Sequence, residues 1–295
     1  FVAVAVDLSG EVLGEFRGSA HVDAANISES LSDIIGRSVA TLCPDGARLL
    51  GVGVGTGGLV DLKKSRIRYS VPLGISSPVD FGKTVAARIP VPCLIENDAN
   101  CCAWGELAFN RDEDLRDFLF ALVEFRADAQ SLERAGGIGV GFGIVLGGKV
   151  YSGAHGNAGE FRSAFCQGRG DLQFSLSPET LRGLERDKDA LLAVSDELAR
   201  NAAMIVNTMD FDRVYIGGDI EALDIDFPSL LRRRLEENWM YPFPKDVEIR
   251  YSSLGGKAVA YGAAGMVLDR LISEQMLPGL AVEDEKTGRE AVWTN

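Results

Sequence analysis

Apolar and polar positions alternate in two short runs at the start of the chain, residues 1–7 and 11–16, with Ser9-Gly10 between them. Such alternation is typical of half-buried strands, and a Ser-Gly pair between two of them favours a β-hairpin. From residue 26 to residue 42 the apolar positions follow a helical period, and Asn26 and Ser28 are candidate N-terminal caps. The pattern therefore predicts a hairpin followed by an amphipathic helix.

Beyond residue 48, short apolar runs alternate with segments of helical period, and length and flanking turn residues separate the two. Residues 126–135 form a predicted polar loop, and residues 161–186 carry no clean period. Two successive sets of strands and helices indicate an α/β fold of two lobes around a cleft. The predicted strands span residues 49–55, 91–95, 118–125, 213–216 and 247–251, and the predicted helices span 80–89, 99–109, 187–209, 228–239 and 258–274.

Residues 136–160, GGIGVGFGIVLGGKVYSGAHGNAGE, are rich in glycine although their apolar positions have the pattern of two buried strands. Each glycine in a strand costs packing and conformational entropy, so a run of them needs a structural cause. The usual cause is a close backbone approach to a phosphate, a sugar or another strand. Glu160 ends the run with a carboxylate, and the combination suggests a ligand cleft.

Composition and charge narrow the functional class. The 295 residues are 46% hydrophobic, enough for a large core, and no apolar run approaches the roughly 20 residues that span a bilayer. A net charge of −13 disfavours direct nucleic-acid binding by this chain. The five cysteines, an odd number, favour reduced thiols and a cytoplasmic protein. The chain begins in mid-strand without a basic signal-peptide region, so we expect residues before Phe1 in the natural protein.

The segment IENDAN at 95–100 carries the strongest candidate chemistry, because a strand ends there and a helix begins. Asp98 is either a helix cap or a carboxylate that binds or deprotonates a hydroxyl at the mouth of a cleft. Asn97 offers a donor and an acceptor, and Glu160 could bind further hydroxyls. Two carboxylates and an amide, with no basic residue among them, suit a neutral polyol better than an anion.

Two weaker signals leave alternatives open. Gly217-Gly218-Asp219 follows a strand and precedes a helix, so it either cradles a nucleotide or forms an ordinary turn, which is favoured. His155 lies in the glycine-rich loop, where a lone histidine is more often a hydrogen-bonding residue than a catalyst. Its proximity to Glu160 in sequence keeps it among the candidate ligand-binding residues.

The chain resembles the ROK family (repressors, open reading frames and sugar kinases) in five segments that occur in the family's order. The segments are GVGVGTGGLVD at 51–61, IENDANCCAWGE at 95–106, GIGVGFGIVLGGKVYSGAHGNAGE at 137–160, VYIGGD at 214–219 and GGKAVAYGAAGMVL at 255–268. The resemblance implies a two-lobed, actin-like sugar-kinase (ribonuclease H-like) α/β fold. Its implied parts are an N-terminal lobe at 1–108, a C-terminal lobe at 109–257, a helix at 258–275 that returns to the N-terminal lobe, and a polar tail at 276–295.

The resemblance also implies a sugar site between the lobes. It implies that Asp98 would be the general base if the chain were a kinase. The implied sugar-binding residues are Gly57, Gly58, Asn97, Asp98 and Glu160, and His155 stays a further candidate from its place in the glycine-rich loop. If the chain is a kinase, the nucleotide-binding candidates are Gly137, Gly139, Gly141, Gly217 and Gly218.

Several departures from the family pattern bear on the choice between enzyme and regulator. The family's early Asp-x-Gly-Gly-Thr phosphate motif has no match, and Ile138 replaces a threonine whose hydroxyl would bind phosphate. Ser163 stands where many members have a zinc-binding histidine, and of the cysteine-rich loop only Cys166 is present. One thiol cannot supply a tetrahedral site, so we expect no zinc. Glu179 is a weak candidate for the sugar-binding glutamate of that loop.

The favoured hypothesis is a sugar-sensing effector domain of a ROK-type transcriptional regulator without resident cofactor. It would contact operator DNA through an unseen N-terminal domain, have no membrane association and form a homodimer or larger homo-oligomer. The alternative is an ATP-dependent sugar kinase that uses Mg-ATP. A third possibility is a degenerate dimerisation scaffold that binds no sugar, against which the intact Asn97, Asp98 and Glu160 argue.

Overall fold

The computed structural model describes residues 1–23, 25–86, 89, 91–110, 114–126, 136–170, 172–184 and 186–273. The predicted tail at 276–295 and most of the predicted loop at 126–135 lie outside these ranges. Within them, no helix combines the length and apolarity that crossing a bilayer requires. The predicted lobe boundaries stay predictions.

The predicted hairpin and first helix are present. Strands β1 (Val2–Val6) and β2 (Val12–Arg17) pair antiparallel, and helix α1 (Ile27–Leu42) follows them. Asn26 precedes α1, but its side chain makes no capping bond to the helix. Its Oδ1 instead accepts a hydrogen bond from the backbone N–H of Asp23. The expectation that Asn26 caps the helix is therefore wrong, because the preceding turn uses that acceptor.

Besides the β1-β2 hairpin, the described residues of the N-terminal half form two small sheets. Strands β3 (Val52–Thr56) and β7 (Cys93–Asn97) pair parallel, so their carboxyl ends meet at one edge. Between them in sequence lies an antiparallel sheet that the sequence pattern did not predict. It consists of β4 (Leu59–Asp61), β5 (Arg66–Tyr69) and β6 (Val79–Asp80), and helix α2 (Phe81–Ala86) follows it.

The C-terminal half is built on a five-stranded sheet of order β10-β9-β8-β11-β12. Strands β8, β11 and β12 are parallel, whereas β9 runs antiparallel to β8 and β10. Helices α5 and α6 pack against each other beside a large apolar core, and the short helix α4 lies in the segment without a clean period. The bounds are β8 Phe118–Phe125, β9 Ile138–Leu146, β10 Lys149–Val150, β11 Arg213–Gly218, β12 Glu248–Tyr251, α4 Pro178–Arg182, α5 Lys188–Met209 and α6 Phe227–Asn238.

Two helices lie between the halves, α3 (Asp98–Phe109) and α7 (Ala258–Ser273). Helix α7 packs on α3, β3 and β1, and α3 also packs on β8 and β9. A Cβ at Gly141 would lie 3.0 Å from the Ala99 Cβ, and one at Gly143 would overlap the Ala99 carbonyl. The glycines of β9 thus let this strand approach helix α3, a partner that the sequence pattern did not identify.

Candidate functional site

A cavity of about 250 Å³ lies where the carboxyl end of β7 meets the glycine strand β9. Its walls combine glycine backbone, apolar side chains and charged groups. Both halves of the chain contribute to it, as expected for a ligand cleft. The lining residues are Gly58, Leu59, Tyr69, Val71, Pro72, Asn97, Asp98, Leu122, Glu124, Arg126, Ile138, Gly139, Val140, Gly141, Gly159, Glu160, Phe161, Arg162, Leu172 and Gln173.

Asn97 is the cap of helix α3. Its Oδ1 accepts hydrogen bonds from the backbone N–H groups of Ala99 and Asn100, and its Nδ2 donates to the Gly58 carbonyl at 3.1 Å. The capping role that the sequence left open for Asp98 therefore belongs to Asn97. Because both ends of its amide are engaged within the protein, Asn97 fixes the Gly58 turn and the start of α3.

Asp98 is the first residue of α3 and lies at the inner end of the cavity, 9% exposed. Burial and the neighbouring Glu124 carboxylate raise its pKa, the Arg126 guanidinium opposes them, and the net result is a pKa of about 6. The backbone N–H of Ala99 donates to Asp98 Oδ1 at 2.9 Å, and Asp98 Oδ2 is the oxygen nearer Arg126. Asp98 can accept hydrogen bonds from ligand hydroxyls once it is ionised.

Arg126 reaches across the cavity from the carboxyl end of β8. Its Nη2 lies 2.5 Å from Glu124 Oε2 and 3.6 Å from Asp98 Oδ2. A Cβ at Gly57 would lie 2.8 Å from Nη2, and one at Gly139 would lie 3.2 Å from the guanidinium carbon. Both glycines thus leave room for this guanidinium. The sequence pattern predicts a polar loop at Arg126 and no basic residue at the site, and the structure corrects that point.

Glu160 lies on the opposite wall, where it forms an isolated antiparallel bridge to Gly141. Gly159 has φ +87°, and a Cβ there would overlap the Phe142 carbonyl, so this turn requires glycine. Burial raises the pKa of Glu160, and the nearby Arg68 guanidinium opposes that rise. Arg68 comes from β5 and donates to the His155 carbonyl and to Asn157 Oδ1 across the cleft.

Hydrogen bonds hold the segment at 161–176, which brings Gln173 to the cavity. Gln173 pairs with the Val140 backbone in both directions, at 2.7 Å each, and donates to the Phe161 carbonyl. Glu197 of α5 accepts from the Ser175 N–H and hydroxyl at 2.8 and 2.7 Å. Asn201 of α5 donates to the Ser163 hydroxyl and accepts from the Ala164 N–H. Among the described residues, no cluster of His, Cys, Asp and Glu is arranged to hold a metal.

The structure brings together part of the predicted site. Gly58, Asn97, Asp98 and Glu160 line the cavity, as do Gly139 and Gly141, and Gly57 lies beside Arg126 and Asp98. The His155 side chain is exposed, and its backbone carbonyl makes the contact with Arg68. Gly137, Gly217 and Gly218 are not in the cavity lining. A Cβ at Gly217 would lie 2.6 Å from the Phe120 ring, and one at Gly218 would overlap the Val123 carbonyl. Packing therefore accounts for Gly217 and Gly218, and nucleotide binding by Gly137, Gly217 and Gly218 stays a prediction.

Three charged residues of the site were not predicted from the sequence, and only two of them carry a recognisable signal. Glu124 and Arg126 lie at the carboxyl end of the buried strand β8 and Arg68 lies in β5, all in sequences without a recognisable motif. In α/β proteins, ligands bind at the carboxyl ends of parallel strands. Charged side chains directly after a buried strand, as in VEFR at 123–126, were therefore the available clue.

Comparison with known proteins shows which family the chain matches. The ROK family model matches residues 1–162. A xylose repressor of Caldicellulosiruptor bescii is 23% identical over 310 residues, which cover 90% of this chain and 74% of the repressor. A glucokinase of Streptomyces coelicolor is 29% identical over 160 residues, which cover 53% of this chain and 43% of the glucokinase.

Solved structures extend the likeness to the fold. The crystal structure of a ROK family transcriptional regulator, a homologue of the E. coli MLC protein, matches with a TM-score of 0.71 at 18% identity. The match covers 94% of this chain and 78% of that structure. It confirms the predicted two-lobed, actin-like α/β fold. Because the family model matches more than half of the chain, the protein belongs to the ROK family.

Proposed function

We propose that this chain is the sugar-binding effector portion of a ROK transcriptional regulator, a repressor that responds to a small sugar bound beside Asp98 and Glu160. The match to the xylose repressor extends over 90% of the chain, whereas the match to the glucokinase covers 53%. Of these two relatives, the repressor therefore matches the longer part of the chain, including the segments after residue 160.

The observation that carries this proposal is the position of Arg126. Its guanidinium fills the space between Asp98 and the Gly57 and Gly139 backbone, held by Glu124 at 2.5 Å. A kinase would need a donor phosphoryl group within about 3–3.5 Å of the hydroxyl that Asp98 activates. The Ile138 side chain, 2% exposed, belongs to the apolar core and offers no hydroxyl to a phosphate. The arrangement suits binding of a sugar better than phosphoryl transfer to it.

Sugar binding would act on the arrangement of the two halves. Asp98 is the first residue of helix α3, which packs on strands of both halves. Glu160 and Arg126 belong to the C-terminal half. A sugar that contacts both sides binds one arrangement of the halves better than another, and it shifts the equilibrium by that difference in affinity. In this proposal operator DNA is contacted through a separate N-terminal DNA-binding segment, since a net charge of −13 disfavours DNA contact by this chain.

A thermal-shift screen against neutral, N-acetylated and acidic monosaccharides, with and without Mg-ATP, tests the proposal. A ligand at about 100 times its Kd adds about 2.7 kcal/mol of stability, so a binding sugar is readily detected. We expect a sugar hit that Mg-ATP does not strengthen and that Asp98→Asn weakens. Asp114→Asn, at a carboxylate that is 81% exposed, is the matched control. Absence of any sugar hit across the panel would contradict the proposal.

The second candidate is an ATP-dependent sugar kinase, and one observation favours it. The pKa of Asp98, raised to about 6, suits a general base at neutral pH. Arg126 would then stabilise charge on the transferred phosphoryl group. Sugar-dependent ADP formation that Asp98→Asn abolishes and Asp114→Asn leaves intact would establish this candidate in place of the regulator.

A further inference from the structure

The charged groups around the cavity do not match the expectation of a neutral sugar. That expectation rested on the absence of basic residues, yet Arg126 and Arg162 line the cavity and Arg68 adjoins Glu160. These three arginines stand against three carboxylates, on Asp98, Glu124 and Glu160. The cavity lining itself holds two arginines and three carboxylates, so both signs of charge face the cleft.

The hydrogen bonds of Arg68 and Arg162 within the described residues go to neutral acceptors, although the Arg68 guanidinium also acts on the nearby Glu160 carboxylate. Arg68 donates to the His155 carbonyl and the Asn157 amide oxygen, and Arg162 donates to the Leu172 and Gly168 carbonyls. All four acceptors are neutral. Arg126 alone of the three forms ion pairs with carboxylates in that part of the chain.

The Arg126 guanidinium also has N–H donors that its two ion-pair contacts do not use. Both of its ion-pair contacts use Nη2, and Nε and Nη1 contact no side-chain acceptor within the described residues. The Asp98 contact, at 3.6 Å, is longer than a hydrogen bond. The Arg126 side chain is 22% exposed and its guanidinium faces the side-chain-free surface of Gly139. A guanidinium whose N–H groups are partly unused within the described residues and partly shielded from water favours an anionic acceptor, because charge-assisted hydrogen bonds are about twice as strong as neutral ones.

We propose that the ligand of this cleft is an acidic monosaccharide, one that carries a carboxylate or a phosphate ester bound by Arg126 while its hydroxyls donate to Asp98 and Glu160. This inference rests on the proposed sugar-binding function and names the class of sugar. Arg126 is then the residue that selects the anionic sugar over its neutral counterpart.

Calorimetric titration of the protein with matched sugars tests the inference. The panel is D-glucose, D-glucuronate and D-glucose 6-phosphate, with the corresponding trios of the galactose and mannose series. For at least one series we expect an acidic member to bind roughly 10-fold or more tightly than the neutral one. Whether the uronate or the phosphate binds identifies the source of the anion.

Substitutions assign this preference to Arg126. We expect Arg126→Met to bring the acidic and neutral sugars within about threefold of each other, and Arg126→Lys to keep part of the preference because it keeps the charge. Arg126→Lys also covers the case in which Arg126→Met fails to fold with two carboxylates left unpaired. Arg116→Met removes an arginine that is 70% exposed, is not part of the cavity lining and should change neither affinity.

Three outcomes would overturn the inference. The first is a neutral sugar that binds as tightly as its acidic counterparts, which would leave the proposed sugar-binding function intact. The second is a preference for acidic sugars that persists in Arg126→Met. The third is binding of Mg-ATP, rather than an acidic sugar, that depends on Arg126. Failure of every sugar to bind would instead overturn the proposed function along with the inference.

Discussion

Arg126 Nη2 lies 3.6 Å from Asp98 Oδ2, and this contact joins strand β8 to the first turn of helix α3 across the cavity. Arg68 crosses the same cleft in the opposite direction, from β5 to the loop that carries His155. The cleft is therefore bridged by two arginines from opposite sides. A ligand that binds Asp98 must therefore fit beside the Arg126 guanidinium.

Removal of the Asp98 charge should stabilise the protein at neutral pH. The pKa of Asp98 rises from 3.8 to about 6, so the folded state holds this proton more tightly than the unfolded state does. The associated stability is present below about pH 4 and is lost as the pH rises through about 6. A shift of about two units corresponds to about 3 kcal/mol. We expect Asp98→Asn to be more stable than the wild type at pH 7.5, by up to that amount.

Urea unfolding at pH 4.5 and pH 7.5 measures this effect as a difference between variants. Asp114→Asn, at an exposed carboxylate, should stay within about 0.5 kcal/mol of the wild type at both pH values. A loss of stability in Asp98→Asn at pH 7.5 would show that the ionised carboxylate is net stabilising through Arg126 and the helix terminus.

Gly57 should be required for ligand binding more than for folding. An added Cβ would lie 2.8 Å from Arg126 Nη2 and 2.9 Å from Asp98 Oδ2, both at the ends of side chains that can move. We expect Gly57→Ala to cost less than about 1 kcal/mol of stability and to weaken sugar binding by roughly 10-fold, because the guanidinium shifts into the cavity. Calorimetry and urea unfolding measure the two effects.

Gly36→Ala is the control for this prediction, because it should change stability and leave sugar binding unchanged. Gly36 lies inside helix α1 with nothing within 4 Å of an added Cβ. The substitution should therefore stabilise the protein by about 0.5–1 kcal/mol and leave sugar binding unchanged. Wild-type affinity in Gly57→Ala would contradict the assignment of this turn to the site.

The sequence predicted the elements with strong periodicity and the residues inside recognisable motifs. Asn97, Asp98 and Glu160 were identified from the strand-to-helix junction at 95–100 and the end of the glycine run, and the family resemblance, which the comparisons confirm, points to the same residues. Strands β4, β5 and β6 were missed because they have only three, four and two residues, too few to show alternation.

The partners of the site could not be predicted for a different reason. Arg126 is defined as a site residue by its contact with Asp98, and the chain alone does not reveal which residues meet across a cleft. The glycines of β9 illustrate the same limit. Their number indicated a close approach, but only the packed structure identifies Ala99 on α3 as the neighbour.

The crossing of α7 over α3 should tolerate no side chain at Gly262. A Cβ there would overlap the Cys101 carbonyl oxygen, which belongs to helix backbone and cannot move away alone. We expect Gly262→Ala to destabilise the protein by about 3 kcal/mol or more, measured by guanidinium unfolding. Gly256→Ala, with nothing within 4 Å of its Cβ, should stay within about 0.5 kcal/mol of the wild type. Equal stability of the two variants would contradict the close packing of these helices.

The segment at 161–176 should depend on Glu197 rather than on a metal ion. Glu197 is 7% exposed and accepts two hydrogen bonds from Ser175, so Glu197→Ala leaves the Ser175 N–H and hydroxyl without their acceptor. Because Ser175 itself is exposed, water can replace the lost acceptor; each hydrogen bond then counts at its net value of about 0.5–1.5 kcal/mol, and we expect a loss of about 1–3 kcal/mol. Glu179→Ala, at a side chain that is 77% exposed, is the control and should be nearly neutral.

A chelator distinguishes the two interactions that could stabilise this segment, hydrogen bonds from α5 and a bound metal ion. Because hydrogen bonds from α5 organise it and Ser163 binds Asn201, we expect EDTA to leave the Tm of the wild type unchanged. Glu197→Ala should also weaken sugar binding, since Gln173 reaches the cavity from the same segment. A fall in Tm on chelation that added zinc reverses would show that a metal holds the segment, because structural zinc contributes directly to folding free energy.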